Sequence, residues 1–434
     1  MKTFRLTRDS RLVIITLSSI LIMLLCWLIS PVLPIRAQSA SEIFDQVWET
    51  VNENFYDPNF NGVDWQAMRS KYQPQVRHAQ SSEQVAAVIN RMLSELKTSH
   101  TQLYTANEPA YYQALGIFQP RIPDLRQQLK KFFPNGKIEY SGIGIFTKDI
   151  NGKTFVSAIL DGSPAAEAQL KVGDQLLSIE GRPFHPIQSF AGKANQNVTL
   201  LIQREHSVSS GESPNSSSQQ EIVVTPKMLD ATTMFLDAQK ASTQVIERQG
   251  KKIAYVHIWS YAGDQYHRQL EDDLLYGRLK DADALVLDLR EGWGGTPASV
   301  LNIYTGRGPS VTNVPRNGTR NTYNSHWNKP VVMLVNEASR SAKEILAYSF
   351  QRYNIGRVVG SKTAGAVVAG RPVLMSDGSL LYVAAADVYV DGEQRLEGKG
   401  VTPDIIVPFS LEYAQGADPQ KEQAIDVATD VATR

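Results

Sequence analysis

Residues 331–353 read VVMLVNEASRSAKEILAYSFQRY. The first five, Val331 to Val335, are all apolar, as a strand buried on both faces requires. From Ala342 the pattern changes, and Ile345, Leu346, Phe350 and Tyr353 fall on one face of a helix. A strand feeding a helix through a short turn belongs to an α/β fold, and such turns are places to mount a nucleophile. Ser341 stands at this one. The same residues also satisfy a capping box, with Ser341 at the cap and Glu344 three residues on. Taken alone, the stretch leaves both readings open.

Working outward, strands and helices alternate. Ile253–Trp259, Ala284–Leu289 and Arg357–Gly360 are further strand candidates, and Asp264–Leu279 is a helix candidate. This order predicts parallel strands with crossover helices over residues 229–408. Asp377-Gly378 predicts a tight hairpin between Val373-Leu374 and Leu380–Val383. The segment 409–434 is mostly polar and is expected to be loosely ordered.

Upstream, residues 136–228 have the texture of short strands and turns. Tyr140–Ile145 opens this region, Asp161-Gly162-Ser163-Pro164 caps a short helix, and Val172–Gly181 carries a Gly-Asp turn into a strand. Ser207–Gln220 is serine-rich and predicts a hairpin tip. Residues 40–115 are helical in pattern, with Ile43, Val47 and Val51 and then Val85, Val88, Ile89 and Met92 at helical spacing.

The chain has 434 residues, of which 42% are apolar and 20% charged, with 44 basic and 44 acidic side chains. That balance gives no electrostatic footprint for nucleic acid. Residues 1–37 have the order of an export signal: Lys2, Arg5, Arg8 and Arg11, then apolar Leu12 to Ile29, with Arg36-Ala37-Gln38 following. The run fits a cleaved signal or an uncleaved membrane anchor, and both readings put the remainder outside the cytoplasm. Without those residues the net charge is −4. The single cysteine, Cys26, lies in the apolar run. The exported part therefore has no disulfide, no thiol nucleophile and no cysteine metal site. No phosphate-cradling Gly loop and no metal-spaced His/Asp/Glu cluster occurs, so neither nucleotide nor metal is expected.

The order of helical segment, strand module and Ser-bearing α/β segment resembles peptidase family S41, the carboxy-terminal processing peptidases and their tricorn-like relatives. The resemblance runs from Ser41 to Pro408. It implies a multidomain α/β protein: an N-terminal helical domain, a PDZ-like β-rich module and a crotonase/ClpP-like α/β catalytic domain. Val172–Gly181 looks like the PDZ Gly-Asp turn, and Ser141, Gly142, Ile143, Gly144 and Ile145 look like its carboxylate-binding loop. Such a loop offers backbone N–H groups to a chain terminus. Ser339–Glu344 looks like the family's nucleophile motif, with Ser341 as nucleophile rather than Ser339. Asp288–Gly295 looks like the oxyanion loop, implying that the Gly294 and Ala342 N–H groups bind the oxyanion.

One departure matters. The processing peptidases place a lysine base 25 residues after the serine, where this sequence has Ala366. Lys343 and Lys362 are poorly placed substitutes. The tricorn-like branch instead uses a Ser-His pair ahead of the PDZ module and a late Glu. Ser99-His100 and Glu397, with Glu393 as a near alternative, match that pattern. His257 is a rival base, and His267 and His326 fall in exposed stretches. The resemblance thus implies a serine endopeptidase in which His100 is the base, with Ser99 and Glu397 orienting it. Its partners are protein or peptide substrates held by their C-termini. The Ala366 position also fits an inactive PDZ-bearing scaffold or a ligand carrier on the same fold.

Overall fold

The computed structural model describes residues 37–205 and 217–433. The expected signal or anchor at 1–37 lies almost wholly outside the described residues, as does most of the serine-rich tip. Among the described residues, no helix is long and apolar enough to cross a membrane.

The C-terminal half is built on a six-stranded sheet. Its order is Ile405–Ile406, Arg357–Gly360, Val331–Val335, Ala284–Asp288, Lys251–His257 and Gln244–Arg248. All neighbours are parallel except the antiparallel edge strand Gln244–Arg248. Side chains alternate between faces, so the apolar run 331–335 feeds two cores. Val331, Met333 and Val335 join Leu285, Leu287, Leu346 and Phe350 on one side. Val332 and Leu334 join Ile253, Tyr255 and Val286 on the other.

What covers that second face corrects an expectation. The segment after Phe409 does not hang loose: Pro419–Thr433 is a helix. Ala424, Ile425 and Ala428 pack against the sheet. Two of these are alanines, set among Asp426 and Asp430, which is why the segment reads as polar.

The helices Ala37–Asn54, Trp65–Arg77 and Ser82–Ser94 form a separate core. Trp48 and Trp65 tie the first two together, each indole N–H donating to the other's carbonyl at 3.0 and 3.2 Å. This core is completed from far along the chain by Leu381, Val383 and Ala384. They belong to the hairpin Ala369–Leu374 and Leu380–Ala386, which the Asp377-Gly378 turn closes. The short strand Gln102–Tyr104 adds to its edge in the register Gln102↔Tyr382 and Tyr104↔Leu380. The open side of that strand is met by Asn90, whose amide donates to Leu103 O at 2.9 Å and accepts from Leu103 N at 2.8 Å. Residues 98–104 are thereby held against the C-terminal half.

Between them in sequence comes a five-stranded antiparallel sheet: Ile145–Ile150, Lys153–Ile159, Gln175–Ile179, Val198–Glu205 and Ser217–Val224. It has its own core of Ile143, Val156, Leu176, Leu200 and Ile202. The entry strand Glu139–Gly142 and the exit strand Lys227–Asp230 pair with each other and close it off.

Candidate active site

The turn after Val335 is tightly held. Ser339 is fully buried, and its hydroxyl donates to Leu289 O at 2.9 Å and accepts from Asn336 N at 3.0 Å. Ser339 is thus a strut. Ser341 follows with φ 60° and ψ −130°, a conformation a side-chain-bearing residue rarely adopts. The helix Ala342–Arg352 begins at the next residue. A strained serine at a strand-to-helix turn is the geometry of a mounted nucleophile.

Glu344 explains how the strain is held. Its buried carboxylate accepts from Ser341 N at 3.2 Å, Thr363 Oγ1 at 2.6 Å, Gly365 N at 2.7 Å and Ala366 N at 2.7 Å. Ala366 O in turn accepts from Ser341 N at 2.8 Å. The capping-box glutamate expected from the sequence therefore also clamps a second loop onto the Ser341 turn. Ala366 stands beside Ser341 along the backbone and presents only a methyl group.

The loop carrying Gly294 comes close to the Ser341 turn. A Cβ on Gly294 would lie 2.8 Å from Ala342 N and 2.8 Å from Ser341 Cβ, so only glycine fits. Among the described residues, neither the Gly294 nor the Ala342 N–H has an acceptor. The loop carrying Gly294 is held from beneath by Lys343. This buried ammonium donates to Glu291 O at 2.5 Å, Trp259 O at 3.3 Å and Arg290 O at 3.4 Å. Burial pushes Lys343 down to about 7, while three carbonyls that can only accept favour the protonated form. Lys343 is occupied there and is not aimed at Ser341, and Lys362 is exposed. Asp288 anchors the start of the loop. Burial opposes its ionisation, yet the Arg290 guanidinium, 2.7 Å away, holds its carboxyl well below the usual range.

Ser99, His100 and Glu397 also meet. Glu397 is 7% exposed. Its carboxylate accepts from Ser99 N at 2.8 Å, Ser99 Oγ at 2.9 Å, Val367 N at 2.6 Å and Val368 N at 3.2 Å. His100 Nδ1 lies 3.0 Å from Ser99 Oγ. Adjacent residues of an extended chain point apart, and the contact is made because His100 has φ 57°. The ring also packs on Tyr382, with centroids 5.4 Å apart. Burial, helped by the Arg340 cation and opposed by Glu397, pushes His100 down to about 4.

A cavity of about 300 Å³ is lined by Ser99, His100, Arg340 and Ala366 among others; Ser341 does not line it, and among the described residues no hydrogen bond joins Ser341 to His100. A second cleft of about 340 Å³ runs from Gly142, Ile143, Gly144 and Ile145 to Trp293 and Arg340. Ser141 does not line it: it sits buried in the strand Glu139–Gly142, opposite Met228. The other histidines weighed as bases are elsewhere. His257 is buried against Trp259 with Nε2 3.0 Å from Arg290 O, His267 lies 3.3 Å from Glu271, and His326 lies 2.8 Å from Ser325. Glu393 is exposed. A larger cavity, about 620 Å³, is lined by Ile43, Tyr111 and Asp377 and contains none of these groups. Among the described residues no cluster could hold a metal ion. Sequence reasoning did not find the contributions of Tyr382 and Arg340, or Lys343's grip on the loop.

Comparisons with known proteins follow the order of the three bodies. Residues 36–94 match the tricorn protease C1 domain, 155–204 a PDZ domain and 252–407 peptidase family S41. A carboxyl-terminal-processing protease of Synechocystis is 26% identical over 402 residues, covering 88% of this chain and 86% of that protein. The putative tricorn protease homolog 2 of Streptomyces coelicolor is 26% identical over 414 residues, covering 90% of this chain but only 32% of its own length. The crystal structure of the tricorn protease shares the fold at a TM-score of 0.53 and 18% identity, over 92% of this chain and 37% of that one. The chain thus carries a peptidase family S41 segment and a PDZ domain, and is a serine-type peptidase.

Proposed function

We propose that the chain is an exported endopeptidase whose PDZ domain holds a substrate's C-terminus while Ser341 cleaves upstream of it. The observation that carries this reading is the run of contacts Glu397–Ser99–His100. Ser99 Oγ has one proton, and the carboxylate, which can only accept, takes it. Ser99 therefore accepts from His100 Nδ1–H. That leaves Nε2 unprotonated, the tautomer a general base needs.

In the first half-reaction His100 Nε2 takes the Ser341 hydroxyl proton while Oγ bonds to the scissile carbonyl carbon. The Gly294 and Ala342 N–H groups receive the oxyanion. The imidazolium then passes its proton to the leaving nitrogen, and the C–N bond breaks. Water repeats the sequence on the acyl-enzyme, with His100 taking its proton and returning it to Ser341 Oγ. Glu397, through Ser99, steadies the imidazolium each time.

The Gly142–Ile145 loop supports C-terminal capture because it opens into the cleft that ends at Trp293 and Arg340. Location outside the cytoplasm rests on the basic and then apolar order of residues 2–29.

The test incubates the protein, and its Ser341→Ala, His100→Ala and Lys343→Met variants, with an unfolded protein ending in apolar residues. Cleavage should be lost by about 10³-fold or more in the first two. Equal cleavage by Ser341→Ala or His100→Ala would sink the reading.

A further inference from the structure

Arg340 is the cation next to the nucleophile, and its surroundings are unusual for an arginine. The catalytic cavity and the PDZ-side cleft share four lining residues: Gln102, Tyr104, Trp293 and Arg340. Arg340 is the one arginine or lysine lining either space among the described residues. Its guanidinium lies over the Trp293 ring at 5.5 Å, and the Tyr104 hydroxyl abuts it. It is thus held in place from two sides.

It has no carboxylate partner among the described residues, although three carboxylates line the same spaces. Each of the three is engaged elsewhere. Glu108 accepts from Thr105 N at 2.9 Å, Glu291 from Asn336 Nδ2 at 3.2 Å, and Glu337 from Ser361 Oγ at 3.0 Å and Lys148 Nζ at 3.4 Å. A fixed, partly sheltered guanidinium fork facing a substrate path without an anion is complementary to a carboxylate.

We propose that Arg340 sets this peptidase's specificity by binding a substrate carboxylate beside the scissile bond. The group is either an Asp or Glu side chain flanking that bond or the substrate's own C-terminal carboxylate. The inference rests on Ser341 being the nucleophile, since only then does the residue before it face the flanking position.

The experiment uses quenched fluorescent peptides matched except at the residues flanking the cleaved bond, which carry Asp, Asn, Glu, Gln or Lys. Each is made as free acid and as C-terminal amide. The wild-type chain should cleave the Asp or Glu peptide at least about tenfold better, in kcat/KM, than its Asn or Gln isostere. If the terminal carboxylate is the ligand, that ratio appears between acid and amide instead. Arg340→Gln should bring the relevant ratio close to one, Arg340→Lys should restore part of it, and Arg340→Glu should shift preference to Lys. A general structural role would lower all peptides alike and leave the ratios intact, and that outcome would overturn the proposal. Ser341→Ala separates the two failures. If it cleaves like wild type, the nucleophile is wrongly assigned. If it is dead while the ratios ignore Arg340, only the carboxylate site is wrong.

Discussion

Ser99 carries one proton and sits between a carboxylate and an imidazole, and this inventory fixes the polarity of the site. Glu397 already draws three backbone N–H groups, so its charge is met before the hydroxyl arrives. The imidazole contributes the remaining property. Burial pushes His100 down to about 4, so it is neutral at any pH where the protein is expected to work. We expect kcat/KM to stay level on the acid side well below the usual histidine range and to halve only near pH 4. A pH–rate profile with an acid limb near 6.5 would contradict it. Stability follows the same sign. Between the unfolded value of 6.5 and the folded value of about 4 the unfolded chain binds more protons. This residue's contribution is therefore complete above 6.5 and is lost as pH falls through that window. Little of this was legible in the sequence. The motif Thr98–Thr101 could be matched by resemblance, but the positive φ that lets neighbouring side chains meet depends on tertiary packing that no local pattern encodes.

At the scale of elements, the oxyanion loop shows what local sequence does reveal. Its glycines were readable because glycine marks places where backbone must approach backbone: a Cβ on Gly292 would lie 1.9 Å from Trp259 O, and one on Gly294 would strike the nucleophile turn. The supports beneath the loop were not readable. Lys343 read only as a poorly placed base and proves to be a three-point tether to carbonyls of the loop and the neighbouring strand end. Glu344 looked like a cap and proves to join two loops. Gly294→Ala should therefore displace the loop from Ala342 while leaving the sheet intact. We expect kcat to fall by about 10²-fold or more, the loss typical of one missing oxyanion donor, with KM nearly unchanged and the circular dichroism spectrum preserved. A fall in substrate binding alone would place the loop outside the chemistry.

At the scale of the whole molecule, the pattern of hits and misses follows sequence distance. The alternation of strand and helix and the hairpin turn were legible because each is decided within a dozen residues. The joining of Gln102–Tyr104 to a hairpin some 280 positions later was not, although it carries His100 to the C-terminal half. The same holds for the final helix, whose buried face is Gln420, Ala424, Ile425, Ala428 and Thr429, with a single large apolar side chain. That helix closes the second face of the main sheet over Tyr255, Val286 and Leu334. Just before it, Asp418 pairs with Arg290 at 2.8 Å, tying the end of the chain to the residue that holds Asp288. A chain ending at Ala417 would uncover that apolar face and leave the Arg290 network short of one carboxylate. Burial of the helix's Ile and Val side chains alone is worth about 3–5 kcal/mol, and loss of the partly exposed Asp418 partner, with Asp288 still on Arg290, adds a smaller, solvent-screened cost. Against a total stability of about 5–15 kcal/mol, the truncated chain should lose its cooperative thermal transition and its cleavage activity together. A truncated protein that melts within a few degrees of the full chain would show that the helix is an ornament on the fold rather than part of it.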